Sequence, residues 1–360
     1  MPVFRPTANC IWNSFRNSGK RHLILTGGRG CGKTTLMKLL FPAPLPGITT
    51  WSEPRNAVWL KDNLSGCRAL AGIYDGTLPG TENKMVLCPE GFNTLGIPVI
   101  RQCTDCDSEW ITIDEIGYLE TGCMDYCNAV RRLMDHKHLA AVVRKQDTPF
   151  IREIICRDDV FAVDLDVPYG NIGCIIMASG LGKRFGGNKL MADFHGEPLI
   201  CRVLSATGGI FQHRVVVTRH KDIAAVCQER GIETLLHDLP YRSDTVRLGL
   251  EAIGDVEGCM FCPGDQPLLR QETIAALALA AVNDSASIWR PAFEDTPGAP
   301  VLFPGWAFSE LADLPEGKGG GFIIKKHSQN FRTIIVEDRY ELMDADSSGE
   351  LALLAASARE

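Results

Sequence analysis

The sequence feature that most constrains the fold is the octapeptide GGRGCGKT at residues 27–34. The apolar segment HLIL precedes it, and the helix-forming segment KTTLMKLLF follows, until the prolines of PAPLPG end it. The octapeptide fits G-x-x-x-x-G-K-[ST], in which small residues let backbone N–H groups surround a phosphate at the start of a helix. It therefore predicts a strand, a phosphate-binding loop and a helix within a parallel α/β sheet.

The defining residues of this pattern each have a predicted role in the first loop. Lys33 is placed to reach the β- and γ-phosphates of a nucleoside triphosphate, and the Thr34 hydroxyl to ligate Mg²⁺. The candidate nucleotide-binding residues are Gly27, Gly28, Gly30, Gly32, Lys33, Thr34 and Thr35. The alternative interpretation is a glycine cluster that only forms a turn.

The segment ITIDE supplies a chemical partner for the first loop. Asp114, at the end of an apolar strand, is predicted to hold Mg²⁺ through water, and Glu115 to orient an attacking water molecule. Arg144 and Lys145 follow the next strand, where they either sense the γ-phosphate or only end a solvated strand. A surface pair of acids is the alternative for Asp114 and Glu115.

A second glycine-rich stretch, ASGLGKRFGGNK at 178–189, lacks both G-K-[ST] and G-x-G-x-x-G. Its early glycines let the backbone approach a triphosphate, and Arg184 and Lys189 supply two positive charges. Such charges suit attack at an α-phosphate, because negative charge accumulates on the leaving pyrophosphate. Asp265 in PGDQP follows an apolar segment and is a candidate Mg²⁺ ligand, and Asp346 in MDADSS is a candidate to complete the metal site.

Composition and charge restrict the partners and the compartment. The 45% hydrophobic and 22% charged fractions are typical of a soluble protein, and the net charge of −7 argues against nucleic-acid or membrane binding. The N-terminus lacks the apolar core of a signal peptide, so fourteen cysteines indicate a reducing cytoplasm. Cys103 and Cys106, in a predicted loop, either bind a metal or are ordinary thiols.

The length and the order of predicted elements indicate two α/β domains. A chain of 360 residues exceeds one compact core of ordinary size. The breaker DLDVPYGN at 164–171 is followed by a new series of strands and helices, which places the domains at 1–168 and 169–360. We therefore expect two separate α/β domains, each carrying one glycine loop.

The first half resembles a family of small P-loop nucleoside-triphosphatases related to nucleotide kinases. The resemblance lies in GGRGCGKT and in IDEIGYLE, where Glu120 matches the final Glu of the family's DEIG-x-x-E segment. It covers roughly residues 20–166 and implies a P-loop parallel sheet with ATP or GTP hydrolysis, or phosphoryl transfer, as the activity.

The second half resembles the nucleotidyltransferases that attach a nucleotide to molybdopterin, over roughly 172–355. ASGLGKRFGGNKLMADFHGEPLI carries the resemblance, with SDTVRLGL, CPGDQPLL, GAPVLF and MDADSSGEL after it. MASG and GDQP are closer to the cytidylyl branch than to the guanylyl branch. The resemblance implies a Rossmann-like, GT-A-like domain in which CTP binds the opening residues, namely Ala178, Ser179, Gly180, Leu181 and Gly182.

The same resemblance assigns further roles and marks three departures. Arg184 and Lys189 would hold the triphosphate and Asp265 would bind Mg²⁺. Ser243 and Thr245 would lie beside the nucleotide or pterin, and Gly298 and Pro300 beside the pterin. Three residues depart from the family pattern: Ser179, Asp244 and Gly317.

Together these features predict a bifunctional enzyme of molybdenum cofactor maturation. The second domain would transfer CMP from CTP to a molybdopterin-type substrate with Mg²⁺, and the first would hydrolyse ATP or GTP. One alternative is an NTP-switched chaperone that delivers the cofactor to a molybdenum hydroxylase apoenzyme. Another is a sugar-1-phosphate nucleotidyltransferase with a similar opening loop.

Overall fold

The computed structural model describes residues 2–79, 84–182 and 185–358, which form two compact units. One unit is Gly19–Pro168. The other joins the segment up to Ser18, including helix α1 (Ala8–Ser18), to the residues from Tyr169 onward. The predicted first domain, 1–168, thus differs from the observed unit in its N-terminal segment, which lies with the second sheet.

The sheet of the Gly19–Pro168 unit is parallel on one side and antiparallel on the other. Its strands are β1 (His22–Thr26), β2 (Gly47–Glu53), β3 (Ala57–Asp62), β4 (Arg68–Tyr74), β5 (Met85–Leu87), β6 (Trp110–Ile116), β7 (His138–Val143) and β8 (Val160–Asp164). The order is β5-β4-β3-β2-β6-β7-β1-β8. Pairs from β2 to β8 in this order are parallel, as predicted, whereas β2 to β5 form an antiparallel meander.

Short helices cover this first sheet. They are α2 (Lys33–Leu40), α3 (Pro89–Gly91), α4 (Ile97–Asp105), α5 (Tyr118–Thr121), α6 (Met124–His136) and α7 (Pro149–Ile155), and a π-helical turn, Phe92–Gly96, links α3 to α4. The helix predicted over 33–41 is confirmed as α2. Strand β7 is apolar and almost wholly buried, as expected for a parallel strand covered on both faces.

The second unit contains a mixed sheet and a two-stranded hairpin. The strands are β9 (Ile172–Ala178), β10 (Asp193–Phe194), β11 (Glu197–Pro198), β12 (His213–Thr218), β13 (Glu233–Leu236), β14 (Gly258–Pro263), β15 (Ile288–Phe293), β16 (Thr296–Pro297), β17 (Val301–Pro304) and β18 (Phe331–Val336). The order is β13-β12-β9-β14-β17-β15-β16, with β18 beside β15 and with β10 paired to β11. Strands β13, β12, β9 and β14 are parallel, and β17 runs against them.

The helices of this unit are α8 (Ile200–Ala206), α9 (Lys221–Glu229), α10 (Arg242–Ile253), α11 (Gln271–Asn283), α12 (Phe308–Ala312), α13 (Gly321–Lys326) and α14 (Ser348–Ser357). Short 3₁₀ turns lie at Lys189–Met191, Gly305–Ala307 and Arg339–Leu342. These helices alternate with the parallel strands, which confirms the predicted α/β class for this half as for the first.

Helix α11 explains why the N-terminal segment belongs to the second unit. Its sequence is apolar almost all round, and nine of its residues are buried. Such a helix needs cover on more than one side. Helix α1 supplies this cover: Ser14 Oγ donates to the Ala276 carbonyl at 2.8 Å, and Cys10 Sγ donates to the Glu272 carbonyl at 3.4 Å.

Within the described residues, no helix is both long enough and apolar enough to span a membrane.

Candidate functional sites

The first glycine loop connects β1 to α2 in the conformation that its sequence predicts. Gly27, Gly30 and Gly32 have φ values of 137°, 77° and 100°, where side chains are disfavoured. A Cβ on Gly27 would lie 2.9 Å from Cys31 Sγ. The glycines therefore allow a tight loop whose N–H groups precede a helix N-terminus, the arrangement that binds phosphate.

The ion pairs around this loop show that it can accommodate anionic oxygen. Lys33 is 9% exposed, and its Nζ donates to the Gly27 and Gly28 carbonyls, each at 2.8 Å. The Gly28 N–H donates to Asp166 Oδ2 at 2.9 Å, and Lys145 Nζ lies 3.0 Å from the same oxygen. The Lys145 contact, and then the Gly28 N–H, lower the pKa of Asp166. Sequence reasoning missed Asp166, although an acid just after β8, beside β1, is a usable signal.

The predicted Mg²⁺ ligands of the first site lie together. Thr34 Oγ1, in α2, donates to Asp114 Oδ1, in β6, at 3.2 Å. Burial raises the pKa of Asp114, the Thr34 hydrogen bond opposes this, and the neighbouring Glu115 adds to the increase. A hydroxyl and a carboxylate in contact beside the loop form a donor set that suits Mg²⁺.

Glu115 and Glu120 have different surroundings, although both belong to the DEIGYLE segment. Glu115 Oε1 forms an ion pair with Arg144 Nε, so the charge of Arg144 is paired with this carboxylate. Glu120 is buried, and its Oε2 accepts the Gly117 N–H at 2.8 Å. Burial raises the pKa of Glu120. The final Glu of the segment therefore orders the turn between β6 and α5.

The predicted Cys103–Cys106 site has a different setting from the one expected. Cys103 lies inside α4, not in a loop, and burial raises its pKa to about 12. Cys106 follows the helix, and its Sγ contacts the Cys103 carbonyl at 3.2 Å. Among the described residues, no group of three or more His, Cys, Asp or Glu side chains is arranged to hold a metal ion. The placement of Cys103 in a loop was wrong.

The second glycine loop leaves the sheet at the point where the strand order reverses. Strand β9 lies between β12 and β14, both parallel to it, so the loop after Ala178 opens at their shared carboxyl edge. This is the usual ligand position in an open α/β sheet. Asp265 follows β14 at the same edge, and its backbone carbonyl accepts the Ala345 N–H at 2.9 Å.

Ser179 lies in the middle of a directed hydrogen-bond chain. The Leu239 N–H donates to His237 Nδ1 at 3.2 Å, so the proton of the neutral ring lies on Nε2. That Nε2 donates to Ser179 Oγ at 2.7 Å, and Ser179 Oγ donates to the Val217 carbonyl at 3.1 Å. Burial, then Arg219, lowers the pKa of His237, which favours this neutral form.

The next residues of the loop are fixed by another histidine and by a glycine. His220 Nε2 donates to the Gly180 carbonyl at 2.9 Å. Gly182 has φ 57°, and a Cβ there would lie 2.2 Å from the Gly187 carbonyl oxygen. Leu181 is exposed between them. Isolated histidines gave no sequence signal, so His220 and His237 were not predicted.

Lys189 brings together the carboxylates that the sequence analysis singled out. Its Nζ contacts Asp265 Oδ2 and lies 2.7 Å from Asp346 Oδ1. The Lys189 side chain is 12% exposed. Burial alone would lower its pKa, but the two acids outweigh that effect and raise it. Arg184, the other predicted cation, lies outside the described residues and stays a prediction.

A third acid lies beside this cluster. Burial, and then the charge of Asp265, raises the pKa of Asp344 to about 6, and Gln266 contacts it. Gln266 is buried, and its Nε2 donates to the Leu342 carbonyl at 3.1 Å. Two carboxylates that reach one cationic atom, with a third nearby, suit Mg²⁺, which commonly takes one or two carboxylates plus phosphate oxygens.

The predicted acceptor side is small and mostly apolar. Ser243 and Thr245 are buried in the first turns of α10. A cavity of about 70 Å³ lies close by, lined by residues that include Met177, Arg242 and Pro263. Gly298 and Pro300, the predicted neighbours of the pterin, flank Ala299, and Ala299 also lines this cavity.

Comparison with known proteins assigns both halves. Residues 174–331 match the MobA-like NTP transferase domain, and residues 74–169 match the NTPase family. Both predicted resemblances are thus confirmed. Nucleoside-triphosphatase THEP1 of a Thermotoga species is 26% identical over 150 residues, covering 40% of this chain and 86% of that protein.

The relatives of the MobA-like domain include 3-deoxy-manno-octulosonate cytidylyltransferases. The protein of Neisseria meningitidis serogroup A is 34% identical over 112 residues, covering 29% of this chain and 44% of the relative. The chain thus spans less than half the length of these relatives. A nucleotidyl transferase structure from Methanothermobacter thermautotroptrophicus is 17% identical, with a TM-score of 0.45, covering 52% of this chain and 96% of that one.

The structure explains the three departures of the MobA-like domain from the expected pattern. Ser179 gains the hydrogen bonds to His237 and Val217 described above. Asp244 caps α10, since its Oδ2 accepts the Tyr241 N–H at 3.0 Å. Gly317 has φ 72°, a left-handed conformation that residues with a side chain adopt less readily than glycine.

Proposed function

We propose that the MobA-like domain transfers CMP from CTP to the terminal phosphate of a molybdopterin-type substrate. The observation that carries this proposal is the contact of Lys189 with both Asp265 and Asp346 at the carboxyl edge of β9 and β14. The cytidylyltransferase relatives support CTP as the nucleotide, and the match to the MobA-like domain supports the acceptor.

Asp265 and Asp346 would hold Mg²⁺, which would neutralise charge on the triphosphate. Lys189 supplies a fixed positive charge beside the phosphates, and the loop from Ala178 to Gly182 supplies backbone N–H groups. An oxygen of the acceptor phosphate attacks the α-phosphorus, the bond to the β-phosphate breaks, and pyrophosphate leaves. No protein nucleophile is needed, because positioning and charge stabilisation carry the rate.

We infer NTP hydrolysis at the first site. Lys33 and the loop amides bind the β- and γ-phosphates of ATP or GTP, and Glu115 orients the attacking water. This activity would time delivery of the finished cofactor to a molybdenum hydroxylase apoenzyme. Under this proposal, loss of Lys33 would stop NTP hydrolysis and cofactor delivery but would leave nucleotidyl transfer by the MobA-like domain intact.

A sugar-type acceptor is the second candidate for the MobA-like domain. The 3-deoxy-manno-octulosonate cytidylyltransferase relatives favour it, because their name specifies a sugar acid as the acceptor. The small cavity beside Met177 and Arg242 has no feature that selects a pterin over a sugar.

The test is incubation of the protein with Mg²⁺ and α-labelled CTP, GTP or ATP, with molybdopterin, a sugar acid, a sugar 1-phosphate or no acceptor. We expect pyrophosphate release with CTP and molybdopterin. Asp265→Ala is expected to abolish it, because the variant loses a metal ligand and a partner of Lys189. Full activity of that variant would contradict the assignment, and release only with a sugar would replace the acceptor.

A further inference from the structure

The cleft of the Gly19–Pro168 unit is larger than a single nucleotide needs. Its volume is about 1140 Å³, and its walls include the first glycine loop, Asp114 and Glu115. Pockets that enclose one small ligand usually measure about 300–1,000 Å³. The cleft therefore has room for a second molecule beside the triphosphate.

The strand register places this additional space beyond the terminal phosphate. Thr34 and Asp114 are in contact and mark the Mg²⁺ end of the loop, where the γ-phosphate binds. Strand β2 is the next strand beyond Asp114, with Thr49 opposite it in parallel register. Trp51 lies two residues further along β2, at the same sheet edge, and lines the cleft. A molecule on Trp51 would thus face the γ-phosphate.

The wall beyond the γ-phosphate is aromatic and braced from behind. Trp51, Tyr74 and Tyr118 line it, and all three are half-buried. The Trp51 ring stacks on Trp59 with centroids 6.5 Å apart, and the Arg68 guanidinium lies 5.2 Å from its centroid. Tyr118 is fixed through its hydroxyl, which accepts the Met85 N–H at 2.9 Å. Fixed aromatic faces of this kind suit a planar heterocycle, because bases stack on them.

Polar groups of the same wall suit the remainder of a nucleotide. Arg55 and Lys84 both line the cleft and flank Tyr74, whose N–H donates to the carbonyl of Asn56, next to Arg55. These cations would attract a phosphate. Glu120 lines the cleft too, is 3% exposed, and its Oε1 has no hydrogen-bond partner among the described residues. A ligand hydroxyl or amine would satisfy that oxygen.

We propose that this aromatic wall binds a nucleoside monophosphate, which accepts the γ-phosphate of the NTP. A phosphate oxygen of the monophosphate attacks the γ-phosphorus, and the bond from the γ-phosphorus to the bridging oxygen breaks. That electron pair leaves on the β-phosphate, so one NTP and one monophosphate give two nucleoside diphosphates. The proposal rests on NTP binding at the first site and changes its main acceptor from water to a nucleotide.

The test uses the full chain with γ-labelled ATP or GTP, Mg²⁺, and AMP, GMP, CMP, UMP or dTMP in turn. We expect label in the diphosphate derived from at least one monophosphate. Hydrolysis to labelled inorganic phosphate with every monophosphate, and no labelled diphosphate, would overturn the proposal and leave NTP hydrolysis standing. If neither product forms, the first site does not use NTP, and both proposals fail together.

Substitutions at the wall add a second measurement. Trp51→Ala should lower kcat/KM for the monophosphate by about 5- to 150-fold, the equivalent of one lost base–aromatic stack. Trp51→Phe retains a ring and should restore most of it. Trp110→Phe is the matched control, because Trp110 belongs to the same unit, packs on Phe41 and His138, and does not line the cleft. If Trp51→Ala instead raises KM for the NTP alone, the wall holds the base of the NTP and the proposal is wrong.

Discussion

The hydrogen bonds of Ser179 make a quantitative prediction about the second unit. Ser179→Ala removes the acceptor of the His237 Nε2–H bond, 2.7 Å, and the donor to the Val217 carbonyl, 3.1 Å. A buried group left without a partner costs about 1–3 kcal/mol. Val217 is buried, whereas His237 is half-buried and can recover a water, so we expect about 1–2 kcal/mol in total.

The measurement is thermal unfolding by calorimetry, with the transition of the second unit identified by its increase when CTP is added. For a unit of this size, a loss of about 1–2 kcal/mol lowers Tm by roughly 2–8 °C. The double variant with His237→Ala tests the origin of the loss. Because the two side chains share one hydrogen bond, the double variant should lose less than the sum of the single variants.

The chain also predicts how the stability of the second unit depends on pH. The folded-state pKa of His237 is lowered, so between that value and its unfolded value, about 6.5, the unfolded chain binds more protons. The contribution of neutral His237 is thus complete above about pH 6.5 and decreases as the pH falls below it.

Additive losses of stability in the Ser179→Ala/His237→Ala double variant, or an unchanged Tm for Ser179→Ala, would refute the hydrogen-bond chain.

Two further substitutions test the two loops. Gly182→Ala should lower both the Tm and the CTP-dependent activity of the second unit, because the added Cβ would lie 2.2 Å from a backbone oxygen. Gly187→Ala is the control and should resemble wild type, because a Cβ there meets nothing within 4 Å. Equal Tm values for the two variants in a thermal scan would count against the loop geometry. Lys33→Ala should lower NTP hydrolysis about 10²–10³-fold through the loss of a preorganised positive charge, while CTP-dependent pyrophosphate release persists. Loss of both activities would show that the two sites are coupled.

Local sequence predicted the parts of each site that lie close together along the chain. The first loop, its strand and its helix follow from residues 22–41, because glycine conformation and helix-forming segments are local properties. The meeting of Thr34 with Asp114 was predicted because Mg²⁺ needs both groups, and both lie at the carboxyl edge of the parallel strands β1 and β6, which β7 separates. The same reasoning placed Asp265 beside the second loop.

Features that depend on distant pairing were not predictable from the sequence. Asp346 was predicted as a candidate metal ligand, but its direct contact with Lys189 was not, because the two residues lie 157 positions apart in the sequence. The antiparallel meander of β2 to β5 was missed, because the residues of its strands do not alternate clearly between apolar and polar. The aromatic wall of the first cleft depends on that meander.

The pairing of α1 with α11 has a consequence for the order in which the protein matures. Ser14 and Ala276 are 262 positions apart, so α1, which is synthesised early, can pack against α11 only after most of the chain has been made. Residues 19–168 form a unit from continuous sequence and can fold during synthesis. Cleavage at 168 would therefore separate two stretches of chain, but it would leave the apolar helix α11 without its N-terminal cover. A cut at residue 168 would therefore divide the sequence in two, but it would not produce two stable domains, because α1 belongs to the second unit.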